Sequence, residues 1–158
     1  MAYVIFDLDG TVIDSTHRHA TLPDGSIDLV HWRENATPEK IARDGLLPLA
    51  RVMRDLHSAG HHIIVCTARF MSLADLHFLG DNDLPYHALL SRAVDDCRPD
   101  ADMKEELLRT YFANRDLRLG VDIEPLMFDD NRKVMARMIS IGVQCLDANR
   151  VNAKMRPL

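Results

Sequence analysis

The sequence predicts an α/β protein, a parallel sheet wrapped by helices, and two features carry that expectation. Short apolar runs alternate with segments of helical period along most of the 158 residues. The runs are continuous rather than alternately polar, as strands covered on both faces require. The length suits one domain spanning 1–158, and 47% hydrophobic with 27% charged residues is ordinary globular composition.

Tyr3 to Phe6 reads as a buried strand running straight into Asp7-Leu8-Asp9-Gly10-Thr11. Leu46 to Ala59 has the spacing of an amphipathic helix, and Gly60 is a natural stop. Ile63 to Cys66 is a second buried strand, followed by Thr67-Ala68-Arg69. Ser72 with Asp75 forms a capping-box pattern for a helix through about Leu79, and His87 to Ser91 is a third strand. Asp102 with Glu105 makes a second capping-box pattern, for a helix through about Phe112. That start puts Lys104 in the first turn, where the helix dipole disfavours a cation, so an anionic partner is expected there. Leu126 to Phe128 is a strand ending at Asp129-Asp130, a helix covers 133–141, and Val143 to Leu146 closes the sheet.

Ser15 to Arg43 stands outside this alternation. It carries Pro23, Asp24-Gly25, the single tryptophan Trp32 and a short helix opened by Thr37 as cap and Pro38 in its first turn. Such a length is unusual between a strand and a helix. Long loops at the carboxyl end of a strand are where substrate contacts usually sit, so 15–43 reads either as a substrate roof or as a surface excursion. Trp32 likewise reads either as a stacking platform for a nucleobase or as core filler.

A net charge of −5 argues against a nucleic-acid sleeve held by bulk positive charge. Beneath it, 19 of the 24 acids are Asp and 15 of the 19 bases are Arg. Asp favours metal sites and turns, and Arg is the fork-shaped binder of phosphate. Three cysteines without a C-x-x-C, no apolar run near ~20 residues and no basic-then-apolar leader predict a cytoplasmic protein (host cytoplasm if viral) without a membrane partner.

In an open parallel sheet, ligands bind beyond the carboxyl ends of the strands. Asp7, Asp9, Thr67, Arg69, Asp129 and Asp130 all follow directly from apolar strands, so separate parts of the chain deliver polar groups to one edge. Strand alternation predicts Asp7 and Asp9 on the same side. Crowded carboxylates raise one another's pKa unless a cation compensates, and an all-oxygen set suits Mg²⁺. Read as a calcium loop, the first motif fails, because Gly10 follows Asp9 directly and Arg18 stands where Glu is needed. His17, His19, His61 and His62 lack a second ligand at metal spacing, and Cys66 reads as packing.

Asp7-x-Asp9-Gly10-Thr11, then Thr67, Lys104 and Asp129-Asp130, resembles the four ordered motifs of the haloacid dehalogenase (HAD) superfamily phosphohydrolases over about Val4 to Leu146. The resemblance implies a three-layer Rossmann-like fold, with 15–43 as a short cap-like insertion after the first strand. It implies Asp7 as the nucleophile that forms an aspartyl-phosphate and Asp9 as general acid and then base. Thr67 and Lys104 would hold the phosphoryl group. Mg²⁺ would sit on Asp7, the backbone carbonyl of Asp9 and Asp129, with Asp130 in support. Within the superfamily, Arg18, Arg69, Arg92 and Asp100 fall at spacings similar to the phosphatase domain of phage polynucleotide kinase–phosphatases, where arginines surround the phosphate and the nucleic-acid end. No G-x-x-x-x-G-K-[ST] occurs, so a kinase half is absent. The expected activity is that of a Mg²⁺-dependent polynucleotide 3′-phosphatase trimming DNA or RNA ends. The alternative is a small-molecule or nucleoside-monophosphate phosphatase. The non-enzyme readings are a phosphate-binding module, against which the intact motif set argues, and a receiver domain, which stores phosphate on an Asp beside Mg²⁺ but whose acidic pair follows the first strand and its acceptor a later one.

Overall fold

The computed structural model describes residues 1–155. In chain order the elements are β1 (Tyr3–Phe6), β2 (Ile13–Asp14), α1 (Leu29–Glu34), α2 (Pro38–Ile41), β3 (Gly45–Leu46), α3 (Leu49–Ser58), β4 (His62–Thr67), α4 (Leu73–Asp81), β5 (Ala88–Ser91), α5 (Asp100–Ala113), β6 (Leu126–Asp129), α6 (Arg132–Ser140), β7 (Gln144–Asp147) and α7 (Ala148–Lys154). Five strands form one sheet in the order β5-β4-β1-β6-β7, and every neighbouring pair is parallel. Counted by strand, that order is 3-2-1-4-5. A receiver domain has 2-1-3-4-5, so the topology removes that reading.

Strand alternation sorts the core into two layers. Val4 and Phe6 of β1, with Ile63 and Val65 of β4, pack with Leu49 and Met53 of α3 and Phe78 and Leu79 of α4. Ile5, Ile64, Cys66 and Met127 face the other way, onto Leu108 and Phe112 of α5 and Val134 and Met138 of α6. Both sheet faces are therefore covered, which is why the strand runs are apolar throughout. Phe6 and Phe128 stack at 4.9 Å across β1 and β6, tying the two strands that end at the acidic motifs.

Two expected boundaries move, and one helix is added. Leu46 lies in β3, paired antiparallel with Ile13 of β2, and α3 starts only at Leu49, after Pro48. The two-stranded ribbon closes the base of the 15–43 excursion, a pairing too short and too distant in sequence to leave a period. The helix expected from Asp102 begins at Asp100. Pro99 stands at its N-cap, and its fixed φ makes it a sufficient start signal. Lys104 is consequently the fifth helical residue rather than a first-turn one, and the dipole argument for it lapses. Finally, α7 follows β7 with Asp147 as its cap, accepting from the Asn149 N–H at 2.9 Å. The Ser72–Asp75 capping box and the Thr37 cap with Pro38 in the first turn form as expected.

Candidate active site

The strand ladder of β1 continues one residue beyond the strand, the Asp7 N–H donating to the Phe128 carbonyl at 3.0 Å. The chain then turns: the Leu8 carbonyl accepts from Thr11, Val12 and Ile13, and Leu8 is fully buried. This turn separates the two aspartates that alternation would have put side by side. The Asp7 carboxylate joins Asp129 and Asp130, and oxygens of all three lie within 4.8 Å of one another. The Asp9 carboxylate is held elsewhere.

Lys104 reaches this cluster from α5 and is buried. Its Nζ donates to Asp7 Oδ1 at 2.8 Å and to Asp129 Oδ2 at 2.7 Å. The remaining oxygens are oriented by Thr11, whose hydroxyl donates to Asp7 Oδ2 at 3.3 Å, and by the Asn131 N–H, which donates to Asp129 Oδ1 at 2.8 Å. Gly10 has φ +75°, and a Cβ there would come within 2.2 Å of Asp130 Oδ2, so only glycine leaves room for that carboxylate.

Burial pushes the Asp7 carboxyl well above its ordinary pKa, against the pull of Lys104, and the charges of Asp129 and Asp130 push the same way. Asp130 rises to about 6, through burial and then the Asp129 charge. Burial lowers the Lys104 pKa, but Asp7 and Asp129 more than offset it and hold the amine charged. Three carboxylates against one ammonium leave unmatched negative charge in an all-oxygen pocket. That donor set fits a hard divalent ion such as Mg²⁺, which would sit on Asp7, Asp129 and Asp130.

A second network lies beside the first. Arg69 Nε donates to Asp9 Oδ2 at 3.0 Å and its Nη2 to Asp9 Oδ1, while Nη1 donates to Asp75 Oδ1 at 2.6 Å. Ser15 also donates to Asp9, at 2.6 Å. Burial raises the Asp9 pKa, but Arg69 outweighs it and holds the carboxyl below its usual value. Asp75 does double duty, since its other oxygen closes the capping box of α4 with Ser72. The buried pair Arg18–Asp44 completes the network: Arg18 Nε and Nη2 donate to the two Asp44 oxygens at 2.9 and 2.8 Å. Arg69 Nη2 approaches Asp44 at 3.4 Å, and His17 Nε2 lies 2.8 Å from it.

The expected site residues thus fall into separate groups. Asp7, Lys104, Asp129 and Asp130 converge. Asp9 and Arg69 pair with each other. Thr67 is buried at the end of β4, its Oγ1 accepting from the Arg69 N–H at 3.0 Å. Arg18 is buried against Asp44 rather than open to solvent. Arg92 binds the carbonyls of Ala68, Asp96 and Arg98 at 2.9, 2.9 and 2.7 Å, and Asp100 Oδ1 at 2.7 Å, tying the loop after β5 to the start of α5. Asp44, Asp75 and Ser15 were not anticipated. Only the capping box hinted at Asp75, and nothing in the spacing of Arg18 and Asp44 signals their pairing. Burial drives the Cys66 thiol up to about 12, so it is inert packing, as its sequence setting suggested.

Sheet order, acidic cluster and lysine are arranged as expected for a HAD-type phosphatase, and solved structures share the fold. A haloacid dehalogenase-like hydrolase from Streptococcus pneumoniae superposes with a TM-score of 0.69 at 11% identity, covering 99% of this chain and 91% of that one. A chain of the Pnkp1/Rnl/Hen1 complex gives 0.64 at 24% identity, covering 94% of this chain and 45% of that one. The chain belongs to the Bacteriophage T5 5′-deoxynucleotidase family, which matches residues 1–156. The 5′-deoxynucleotidase of Escherichia phage T5 is 32% identical over 168 residues, 94% of this chain and 68% of that protein. Among the described residues, no helix is long and apolar enough to cross a membrane.

Proposed function

We propose that the chain is a Mg²⁺-dependent phosphomonoesterase that hydrolyses deoxynucleoside 5′-monophosphates through an aspartyl-phosphate on Asp7. The observation that carries the chemistry is the shared Lys104 bridge between Asp7 and Asp129, inside a carboxylate cluster left short of positive charge. Bound Mg²⁺ would neutralise charge on the phosphoryl oxygens and on the clustered carboxylates.

The protein's own groups do the rest. An Asp7 oxygen attacks phosphorus as the P–O bond to the alcohol breaks, and Lys104 neutralises the charge gathering beside it. Asp9, which Arg69 holds ionised in the free protein, takes up a proton as substrate binds and passes it to the departing alkoxide. A water then attacks the phosphorus, Asp9 takes its proton, and the P–O bond to Asp7 breaks to release phosphate. The Ser15 hydroxyl links Asp9, at 2.6 Å, to His19 Nε2, at 3.0 Å, a hydrogen-bonded path for that proton. Thr67, at the end of the neighbouring strand, supplies a hydroxyl to the phosphoryl group.

The nucleotide is favoured over a polynucleotide end because the phage T5 relative is a 5′-deoxynucleotidase and because the arginines that suggested a nucleic-acid surface have internal partners. Arg18 is bound to Asp44, and Arg92 to three carbonyls and Asp100. The test is a Mg²⁺-supplemented phosphate-release assay on deoxynucleoside 5′-monophosphates, ribonucleoside 5′-monophosphates and a 3′-phosphorylated oligonucleotide. Deoxynucleotides are expected to have the highest kcat/KM, and an oligonucleotide that outperforms them restores the 3′-phosphatase reading.

A further inference from the structure

Trp32, the single tryptophan of the chain, packs with neither apolar cluster of the core. It sits half-buried on α1, in the 15–43 excursion, with polar neighbours. The Arg18 guanidinium lies over its ring, 4.2 Å from the centroid, and His19 meets it edge-on at 5.0 Å. Arg69 stands 5.7 Å from the same centroid and donates to Asp9 at 3.0 Å. The indole is therefore one guanidinium away from the carboxylate that serves the leaving group.

A filler tryptophan would bury its ring among aliphatic side chains. This ring instead rests on a cation that cannot move with it, because Arg18 is buried and locked by both Asp44 oxygens. Its orientation is set before any ligand arrives, which lowers the ordering cost of binding.

We propose that Trp32 is the nucleobase platform of the site: the base of the substrate stacks on the indole while its phosphate meets Asp7, so the residue selects nucleotides over smaller phosphate esters. The proposal rests on the nucleotidase reading above. Stacking tolerates any base, since each presents a π-face, so the selectivity is for having a base rather than for which one.

The experiment compares 2′-deoxyadenosine 5′-monophosphate with 2-deoxyribose 5-phosphate, which lacks the base, in wild type, Trp32→Ala and Trp32→Phe. The alanine variant is expected to raise KM for the nucleotide about 5- to 100-fold, the cost of one lost stack, with kcat unchanged. Kinetics on the sugar phosphate should stay at the wild-type level, and phenylalanine should restore most of the nucleotide affinity. Because the indole is unique, tryptophan fluorescence gives a second readout. In Asp7→Asn, where the ligand is not consumed, the nucleotide should quench it and the sugar phosphate should not. Equal losses on both substrates, an unchanged nucleotide preference in Trp32→Ala, or equal quenching by the two ligands overturns the platform. If the alanine variant does not fold, the phenylalanine variant and the quenching decide. If wild type cleaves neither compound, the nucleotidase reading fails, and the quenching still reports whether a base reaches the ring.

Discussion

Two charged clusters adjoin at the carboxyl edge of the sheet, and they are built on opposite rules. Around Asp7, three carboxylates share one lysine, and burial raises the pKa of Asp7 and Asp130. Around Arg69, each of the three carboxylates of Asp9, Asp44 and Asp75 is ion-paired with the guanidinium of Arg69 or Arg18, three against two rather than three against one, and the Asp9 pKa is lowered. The first cluster is left short of positive charge, which is why it is proposed as the Mg²⁺ site. The second pairs each of its carboxylates directly with a guanidinium, leaving only Arg18 Nη1 without a hydrogen-bond partner among the described residues, and so fixes Asp9 and the base of the 15–43 excursion. Charge left short of partners in a buried place calls for a cation, and charge paired there holds its neighbours in place.

The largest expected effect comes from Asp7→Asn, which removes the nucleophile from the unmatched cluster. Phosphate release should fall about 10⁴-fold or more, as for loss of other catalytic nucleophiles. In metal-free neutral buffer its Tm should be no lower than wild type, since a carboxylate disfavoured by burial and by two neighbours has gone. Substantial turnover would refute the nucleophile assignment.

Asp44→Asn attacks the matched cluster and should act mainly on stability. It leaves Arg18 charged and buried, which costs about 3–5 kcal/mol in denaturant melts. The double variant Arg18→Met with Asp44→Leu should recover much of that loss, because no unpaired charge remains. No recovery would mean that the pair does more than satisfy itself.

Gly10→Ala returns to the unmatched cluster with a smaller push. The added Cβ must displace Asp130, and the rate should drop about 10- to 100-fold, with more Mg²⁺ needed for half-maximal activity. Gly25→Ala is the control: it also has positive φ, at +85°, but meets nothing within 4 Å, so it should cost stability alone.

The smallest effect is on pH dependence. The folded pKa of Asp130 is raised to about 6, so its contribution is present below its ordinary value and is lost as pH rises through about 6. In chelator, stability should fall between about pH 4 and 6 by about 1–2 kcal/mol, a figure reduced for its partial exposure. Asp130→Asn should flatten the fall, and saturating Mg²⁺ should abolish it by favouring the carboxylate. Identical curves with and without Mg²⁺ would place the ion elsewhere.

The legible part of the fold was local. Val4 and Phe6 against Ile5, and Ile63 and Val65 against Ile64, are buried strands on composition alone, and Ser72–Asp75 names its own helix start. Asp7, Asp129 and Asp130 were legible because each follows an apolar run, and parallel strands deliver their ends to one edge. The start of α5 was misplaced because Asp102 and Glu105 imitate a cap that Pro99 pre-empts. The separation of Asp9 from Asp7 was hidden because it depends on the turn at Leu8, which strand alternation does not describe.

The sequence by itself therefore determined the class of fold, the edge at which the candidate site lies and the acidic residues brought there, since all three follow from periodicity and from what ends each strand. Only the tertiary structure decided which charges remain unmatched. Arg18 and Asp44 lie 26 residues apart, and Arg69 and Asp9 lie 60 apart. An arginine written in a sequence carries the same charge whether its partner is a substrate phosphate or a buried aspartate. The difference arises only when folding excludes water and selects the nearest anion.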